Sequence, residues 1–180
     1  MNKRWDLSQV SFLVVEDNMH MRSILRSVLS GFGVRQIYEA ADGADGLEIV
    51  LDRTPDFILV DWAMAPVSGA DFIKILRSEA DRMINTTPVI VVSAHSRKAT
   101  ILEAVKLGVH GFIAKPVSPS VLYNHIGDIL YKQSLHGRCK GVFGTTQPTE
   151  RKGNVSVTDL SRPAPSSMGR KEDALSMALL

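Results

Sequence analysis

Several residues that can do metal or phosphate chemistry stand directly after short apolar runs of the sequence. Glu16 and Asp17 follow the first run, Asp61 ends the third, Ser93 ends the fourth and Lys115 follows the fifth. If these runs are parallel strands, their carboxyl ends lie at the sheet edge where such folds bind ligands. Three carboxylates, a hydroxyl and an ammonium group would then share one edge of a sheet.

Three carboxylates at one edge need a counter-charge, because like charges a few ångströms apart repel strongly in a partly desolvated site. A hard divalent cation supplies it, and an all-oxygen ligand set favours Mg²⁺, which also retains waters and takes up a phosphate oxygen. Lys115 adds a compact positive charge, and Ser93 adds a hydroxyl donor. Each residue alone is common at strand ends, but together they predict in-line phosphoryl transfer with Asp61 as the nucleophile.

The apolar runs alternate with amphipathic stretches over the first 131 residues. The runs are short and mostly β-branched or aromatic, as in strands buried on both faces. The stretches between them show helical spacing of apolar residues. Five βα repeats with short connections predict an α/β fold, a parallel sheet with helices on both faces. The predicted strands are Ser11–Val15, Arg35–Ala40, Phe57–Asp61, Pro88–Ser93 and Gly111–Ala114, and the predicted helices are Met19–Ser30, Gly43–Leu51, Ser68–Glu79, Arg97–Leu107 and Ser118–Tyr131.

The chain divides into a folded body and a polar tail. We expect an N-terminal extension at 1–8, one domain at 9–132 and a disordered C-terminal tail at 133–180, where Ser, Pro, Gly and charged residues replace the apolar runs. From Lys132 onward eight lysines and arginines stand against four acidic residues, a net +4; the total of +2 therefore leaves −2 for the first 131 residues. The tail is too short and too polar for a typical winged helix, so no DNA-binding domain is expected.

The composition argues against membrane insertion and secretion. No stretch approaches the roughly 18–20 uninterrupted apolar residues of a membrane span. The basic N-terminus is not followed by the apolar block and cleavage site of a signal peptide. Cys139 is the single cysteine and allows no internal disulfide, which suits a reducing compartment. We therefore expect a cytoplasmic protein.

Five motifs follow one another along the chain: Val14-Val15-Glu16-Asp17-Asn18, Asp61-Trp62-Ala63-Met64, Gly69, Val92-Ser93-Ala94 and Lys115-Pro116. In this order and spacing they resemble the receiver domain of two-component response regulators, over residues 8–132. The resemblance is to stand-alone, chemotaxis-regulator-like proteins; chemotaxis-type and phosphorelay-intermediate roles both fit it, and the pathway stays open. It implies a flavodoxin-like, doubly wound (βα)5 fold with a five-stranded parallel sheet in the order 2-1-3-4-5.

The resemblance also implies how the site is built. Asp61 would accept a phosphoryl group from a histidine kinase or a histidine phosphotransfer protein. Glu16, Asp17 and Asp61 would hold Mg²⁺ together with the backbone carbonyl of Ala63, and Lys115 would contact the phosphoryl group. The phosphorylated domain would then bind a downstream protein through the face formed by the fourth predicted helix, the fifth strand and the fifth predicted helix.

Further positions would switch or tune the site. By the same resemblance, Ser93 moves towards the phosphoryl group, Phe112 is the aromatic that swings inward with it, and the Lys115–Pro116 bond is cis, a turn that aims the lysine into the site. Ala63 and His95 occupy positions that influence hydrolysis of the phosphoryl group. Because a small apolar Ala63 should not position an attacking water, we expect slow self-dephosphorylation; a half-life of seconds would contradict this.

Three features depart from the family pattern. Ala65 precedes Pro66, where the family usually has proline directly after the Met64 position, so we expect the loop after the phosphoacceptor to differ in shape. Phe112 lacks the hydroxyl that a tyrosine would offer. The connection Arg77–Pro88 is slightly long, which predicts a larger loop.

Other functions are weaker hypotheses. A nucleic-acid regulator acting through the basic tail lacks stacking aromatics and a recognition helix, so we expect no nucleic-acid partner. A flavodoxin would need a loop rich in glycine and hydroxyls where Glu16-Asp17-Asn18 stands, and an aspartyl hydrolase would need a second acid at Ala63. An unphosphorylated receiver-like scaffold also stays open. We expect no enzyme activity beyond the domain's own phosphorylation and dephosphorylation; the kinase, the target and the oligomeric state are not fixed by the sequence.

Overall fold

A computed structural model of the chain describes residues 5–135. Its strands are β1 Ser11–Val15, β2 Gln36–Ala40, β3 Phe57–Asp61, β4 Val89–Ser93 and β5 Gly111–Ala114. They form one parallel sheet in the order β2-β1-β3-β4-β5, which confirms the predicted flavodoxin-like α/β topology. The central strands β1, β3 and β4 are buried along their whole length, whereas the outer strands β2 and β5 are only partly buried.

In the part of the chain that the structure describes, six helices connect and follow the strands: α1 Met19–Gly31, α2 Gly43–Arg53, α3 Gly69–Ser78, α4 Arg82–Asn85, α5 Lys98–Lys106 and α6 Pro119–Leu135. The first three begin at polar caps. The side chains of Asn18, Asp42 and Ser68 each accept hydrogen bonds from amides of the following turn. Such a cap satisfies N–H groups that have no partner inside the helix. Asn18 therefore starts α1 immediately after the acidic pair that follows β1.

The sheet has an apolar core on each face, because successive residues of a strand point to opposite sides. On one face, residues of β1 pack against α1 and α6, and the rings of Phe12 and Phe57 stack with centroids 5.1 Å apart. On the other face, the alternate residues of β1 and β3 pack against α2, α3 and α5. Two covered faces hold the strand ends in a fixed register, which is what a site assembled from several strands requires.

The connection between α3 and β4 contains the short helix α4, which the sequence patterns did not predict. Asp81 caps it through its side chain. Arg77 ties the connection to the end of the sheet, because its guanidinium donates hydrogen bonds to the carbonyl oxygens of Asn85, Thr87 and Gly108. A helix of four residues is too short to produce a recognisable apolar period, so the sequence indicated only a larger loop.

At both ends of residues 5–135, residues outside the predicted strands and helices belong to the fold. Leu7 is buried in the core that α6 covers, and the backbone N–H of Trp5 donates to the hydroxyl of Tyr123 at 2.7 Å. Helix α6 continues to Leu135, past the predicted end at Tyr131. The predictions for residues 136–180, Cys139 included, fall outside the described residues and stay predictions. Among residues 5–135 there is no helix with the length and apolar character needed to cross a membrane.

Candidate functional site

Three carboxylates meet where β1 and β3 end. The two strands are neighbours, with Val15 paired to Val60, so the residues that follow them lie side by side. Glu16, Asp17 and Asp61 each offer a carboxylate oxygen, and these oxygens all lie within 4.8 Å of one another. Glu16 is 1% exposed and Asp61 7% exposed, whereas Asp17 faces solvent. The predicted acidic group is therefore assembled, with two buried members and one open to solution.

Lys115 reaches this group from the outer strand β5. It follows β5, and its backbone N–H donates to the carbonyl of Ser93 at 2.8 Å. Its Nζ lies 2.8 Å from Oε2 of Glu16 and 3.2 Å from Oδ2 of Asp61. Burial alone would lower the pKa of Lys115, but the hydrogen bond to Glu16 and the charges of Asp61 and Glu16 outweigh it and raise the pKa. The ammonium group therefore stays protonated and bridges two of the carboxylates.

The surroundings of Glu16 disfavour the ionised form of its carboxyl group. Burial raises the pKa of its carboxyl; the hydrogen bond from Lys115 opposes this, and the charge of Asp61 adds to it. One oxygen, Oε2, is bound by the lysine, whereas Oε1 is buried and has no hydrogen-bond partner among the described residues. A buried oxygen without a partner costs free energy, of the order of 1–3 kcal/mol and more for a charged group.

These residues fit a hard divalent cation. When ionised, the three carboxylates and the single ammonium carry a net charge of −2, which one divalent ion would balance. The donors are all oxygens, and the buried Oε1 of Glu16 is free to become a ligand. Mg²⁺ is the cation that such a small, carboxylate-based site with an open, solvent-facing side prefers. On these grounds the acidic group is a candidate magnesium site.

Asp61 is held firmly in place by its neighbours. Its Oδ1 accepts a hydrogen bond from the backbone N–H of Trp62 at 2.8 Å. The first residue of α3, Gly69, packs against it so closely that an added Cβ would lie 2.2 Å from the carbonyl oxygen of Asp61. The N–H of Gly69 also donates to the carbonyl of Trp62 at 3.1 Å. The glycine therefore lets α3 begin directly against the end of β3.

The other predicted site residues lie on or just after the strands β3, β4 and β5. Ser93 is fully buried, and its Oγ accepts a hydrogen bond from the N–H of His95 at 3.0 Å. His95 and Ala63 are exposed, and Phe112 is half-buried against the core under α3 and α5. Their predicted switching and tuning roles stay predictions.

Within residues 5–135, two peptide bonds before prolines are cis. One is Lys115–Pro116, as predicted, and the other is Ala65–Pro66, in the loop where the sequence departs from the family pattern. Within that loop Met64 is buried, while Ala63, Ala65 and Pro66 are exposed.

Sequence reasoning missed Arg22. Its Nη1 donates to the backbone carbonyl of Glu16 at 2.6 Å. Its position relative to the N-cap of α1 could have indicated this role. Arg22 comes four residues after the cap Asn18, which places it one turn into α1, above the end of β1.

A family model described as the response regulator receiver domain matches residues 12–127 of this sequence. The chain belongs to this family. The strand order is that of a receiver domain, and the resemblance noted from the motifs is confirmed.

Individual relatives show how far the similarity extends. Chemotaxis protein CheY of Pseudomonas aeruginosa is 32% identical over 120 residues, which cover 67% of this chain and 95% of that protein. A protein-glutamate methylesterase/protein-glutamine glutaminase of Myxococcus xanthus is 38% identical over 112 residues, but these are 62% of this chain and 31% of that protein. The receiver domain of a Francisella response regulator superimposes with a TM-score of 0.61 at 28% identity, covering 69% of this chain and 98% of that one. What is shared throughout is the receiver domain.

Proposed function

We propose that this receiver domain is a phosphorylation switch: Asp61 accepts a phosphoryl group from a phosphohistidine donor, with Mg²⁺, and the phosphorylated state binds a different set of partners. The observation that carries the proposal is the meeting of Glu16, Asp17, Asp61 and Lys115 at the carboxyl ends of three strands. Membership of the receiver family supports it. The donor is proposed to be a histidine kinase or a histidine phosphotransfer protein, and the compartment the cytoplasm.

The proposed reaction is an in-line displacement at phosphorus. A carboxylate oxygen of Asp61 forms the new P–O bond, the P–N bond to the donor histidine breaks, and its electron pair stays on the imidazole nitrogen. The ammonium group of Lys115 already lies 3.2 Å from Oδ2 of Asp61 and can shift to contact the incoming phosphoryl oxygens. Bound Mg²⁺, held by Glu16, Asp17, Asp61 and the Ala63 carbonyl, would supply the remaining charge stabilisation.

The proposed switch runs from Ser93 to Phe112. Ser93 is fully buried at the end of β4 and has a hydroxyl that can donate to a phosphoryl oxygen. Phe112 is half-buried on the neighbouring strand β5, so a movement of the β4 end gives its ring space to turn inward. Because the outer surface of β5 changes with the ring, the affinity for a protein partner changes too.

The domain's own chemistry is proposed to end there. It forms and loses the aspartyl phosphate and transforms no other substrate; Ala63 and His95 set how quickly the phosphoryl group is lost. The boundaries 9–132 are proposed for the receiver domain, with residues 1–8 as an N-terminal extension and the basic tail that follows as a separate segment.

The test is phosphorylation by a small donor. The protein is incubated with Mg²⁺ and acetyl phosphate, and its intact mass is measured. Asp61→Asn runs beside it, and Asp52→Asn serves as the matched control, because Asp52 is an exposed aspartate on α2 paired only with its neighbour Arg53. We expect one phosphoryl group on the wild type and on Asp52→Asn, and none on Asp61→Asn or without Mg²⁺.

Two results would contradict the proposal. One is an adduct that persists in Asp61→Asn. The other is a folded wild type that takes no phosphoryl group either from acetyl phosphate or from a phosphorylated histidine phosphotransfer protein; the fold would then serve as a binding scaffold.

A further inference from the structure

We propose that Arg22 is a positioning residue for the magnesium site: it fixes the peptide that joins Glu16 to Asp17 and thereby aims both carboxylates. This inference rests on the proposed function, because it concerns the same site. Arg22 contacts neither Asp61 nor the phosphoryl position in the described contacts, so its action is through the backbone of its neighbours.

The backbone of Glu16 is held on both sides. Its N–H donates to the carbonyl of Ala40, at the end of β2, at 3.1 Å. Its carbonyl accepts from Nη1 of Arg22 at 2.6 Å, a charge-assisted hydrogen bond. The backbone of Glu16 is therefore held between the edge strand and the first helix, and the carbonyl of the Glu16–Asp17 peptide is held by Arg22. Asp17 is exposed, so its carboxylate depends on this peptide for its direction more than on packing.

Arg22 is itself oriented. Its side chain is 18% exposed, and its Nε lies 3.5 Å from Oε2 of Glu39 on β2. Glu39 pairs with Val14 in the sheet, two residues before Glu16, so the same pair of strands carries the arginine's anchor and its target. Arg26, one turn further along α1, also pairs with Glu39, but its side chain is 58% exposed. Arg26 thus shares the partner of Arg22 without reaching the site loop.

Whether removal of Arg22 raises or lowers the Mg²⁺ affinity distinguishes a positioning role from a purely electrostatic one. A guanidinium near a cation site repels the cation, so removal of a purely electrostatic Arg22 would strengthen Mg²⁺ binding. Removal of a positioning Arg22 releases the Glu16–Asp17 peptide and weakens Mg²⁺ binding. Loss of groups that orient metal ligands weakens metal binding by about tenfold or more. The two accounts predict opposite changes.

The experiment is an Mg²⁺ titration of the full chain followed by the NMR amide resonances of Asp17 and Trp62. Arg22→Met removes the donor while keeping helix propensity, and Arg26→Met is the matched control on the same helix. We expect Arg22→Met to bind Mg²⁺ about tenfold more weakly than the wild type and Arg26→Met to bind like the wild type. Equal or tighter binding by Arg22→Met would overturn the inference. If Arg22→Met does not fold, Arg22→Gln, too short to reach the same carbonyl, has the same expected loss.

A second readout separates this inference from the proposed function. If the wild type shows no Mg²⁺ response, the proposed function fails, and amide hydrogen exchange in the metal-free proteins then decides the role of Arg22. Faster exchange at Asp17 in Arg22→Met than in both the wild type and Arg26→Met supports the positioning role. Identical exchange in all three proteins overturns it.

Discussion

Gly69 begins α3 directly against the end of β3, and replacing it by alanine tests the packing that fixes Asp61. A Cβ at this position would lie 2.2 Å from the carbonyl oxygen of Asp61 and 2.9 Å from Cα of Trp62. Ordinary contacts of this kind begin near 3.4 Å. The backbone must therefore open by about 1 Å, and neither the buried strand β3 nor helix α3 can move without displacing Asp61, the proposed phosphoacceptor.

The expected loss of stability follows from two opposing terms. Overpacking against rigid backbone costs about 1–3 kcal/mol. Alanine recovers up to about 1 kcal/mol through its better helix propensity. We expect Gly69→Ala to lower the free energy of unfolding by about 1–2 kcal/mol, and, because about 1 Å of misplacement can cost a large factor in rate, to slow phosphorylation of Asp61 at least about tenfold.

Gly31→Ala is the control, because Gly31 ends α1 and a Cβ there meets nothing within 4 Å. It should leave stability unchanged or raise it by up to about 1 kcal/mol. Urea unfolding measures both variants. With a slope of about 1–3 kcal/mol per molar urea, a loss of about 1–2 kcal/mol lowers the Gly69→Ala midpoint by about 0.3–2 M. A Gly69→Ala midpoint equal to that of the wild type, or an equal loss in Gly31→Ala, would refute the argument from close approach.

Three further predictions concern stability. Arg77→Met should lower the free energy of unfolding by about 2–4 kcal/mol, because the part-buried carbonyls of Asn85 and Thr87 and the exposed carbonyl of Gly108 lose a charged donor. A loss below about 0.5 kcal/mol in urea unfolding would contradict this. Asp42→Ala removes the cap of α2 and should cost about 1 kcal/mol, whereas Asp52→Ala, exposed at the other end of that helix, should cost little. Burial, with the charges of Arg77 and Lys132, lowers the pKa of His110 from 6.5 to about 4. The unfolded chain therefore binds protons first as the pH falls from 6.5 to about 4, and stability should decline across that window. Although burial of the imidazole shifts its pKa, His110 as a whole residue is exposed, so solvent screening should limit the decline to about 1 kcal/mol at most. Thermal unfolding measured over a series of pH values should show this decline in the wild type and not in His110→Asn.

Much of the fold could be predicted from the sequence, because its signals are local. The bounds of β1, β3 and β5 agree with the apolar runs Ser11–Val15, Phe57–Asp61 and Gly111–Ala114. The strand-end residues were recognisable because each comes directly after its run. The helix α4 and the extension of α6 to Leu135 were not predicted, since four residues show no period and helix ends carry weak signals.

The site as an arrangement in space was decided by the tertiary structure. Lys115 and Glu16 are 99 positions apart in the chain, and only the order of the strands brings them to 2.8 Å. The hydrogen bond from Arg22 depends on how α1 packs over β1, and the buried Oε1 of Glu16, which has no hydrogen-bond partner among the described residues, is likewise a feature of the folded chain. The sequence by itself determined which groups were available and at which strand ends they stand, because residue type and hydrophobic period are local properties. Which of those groups touch, and which is left without a partner, is a property of packing between distant segments, and only the folded chain sets it.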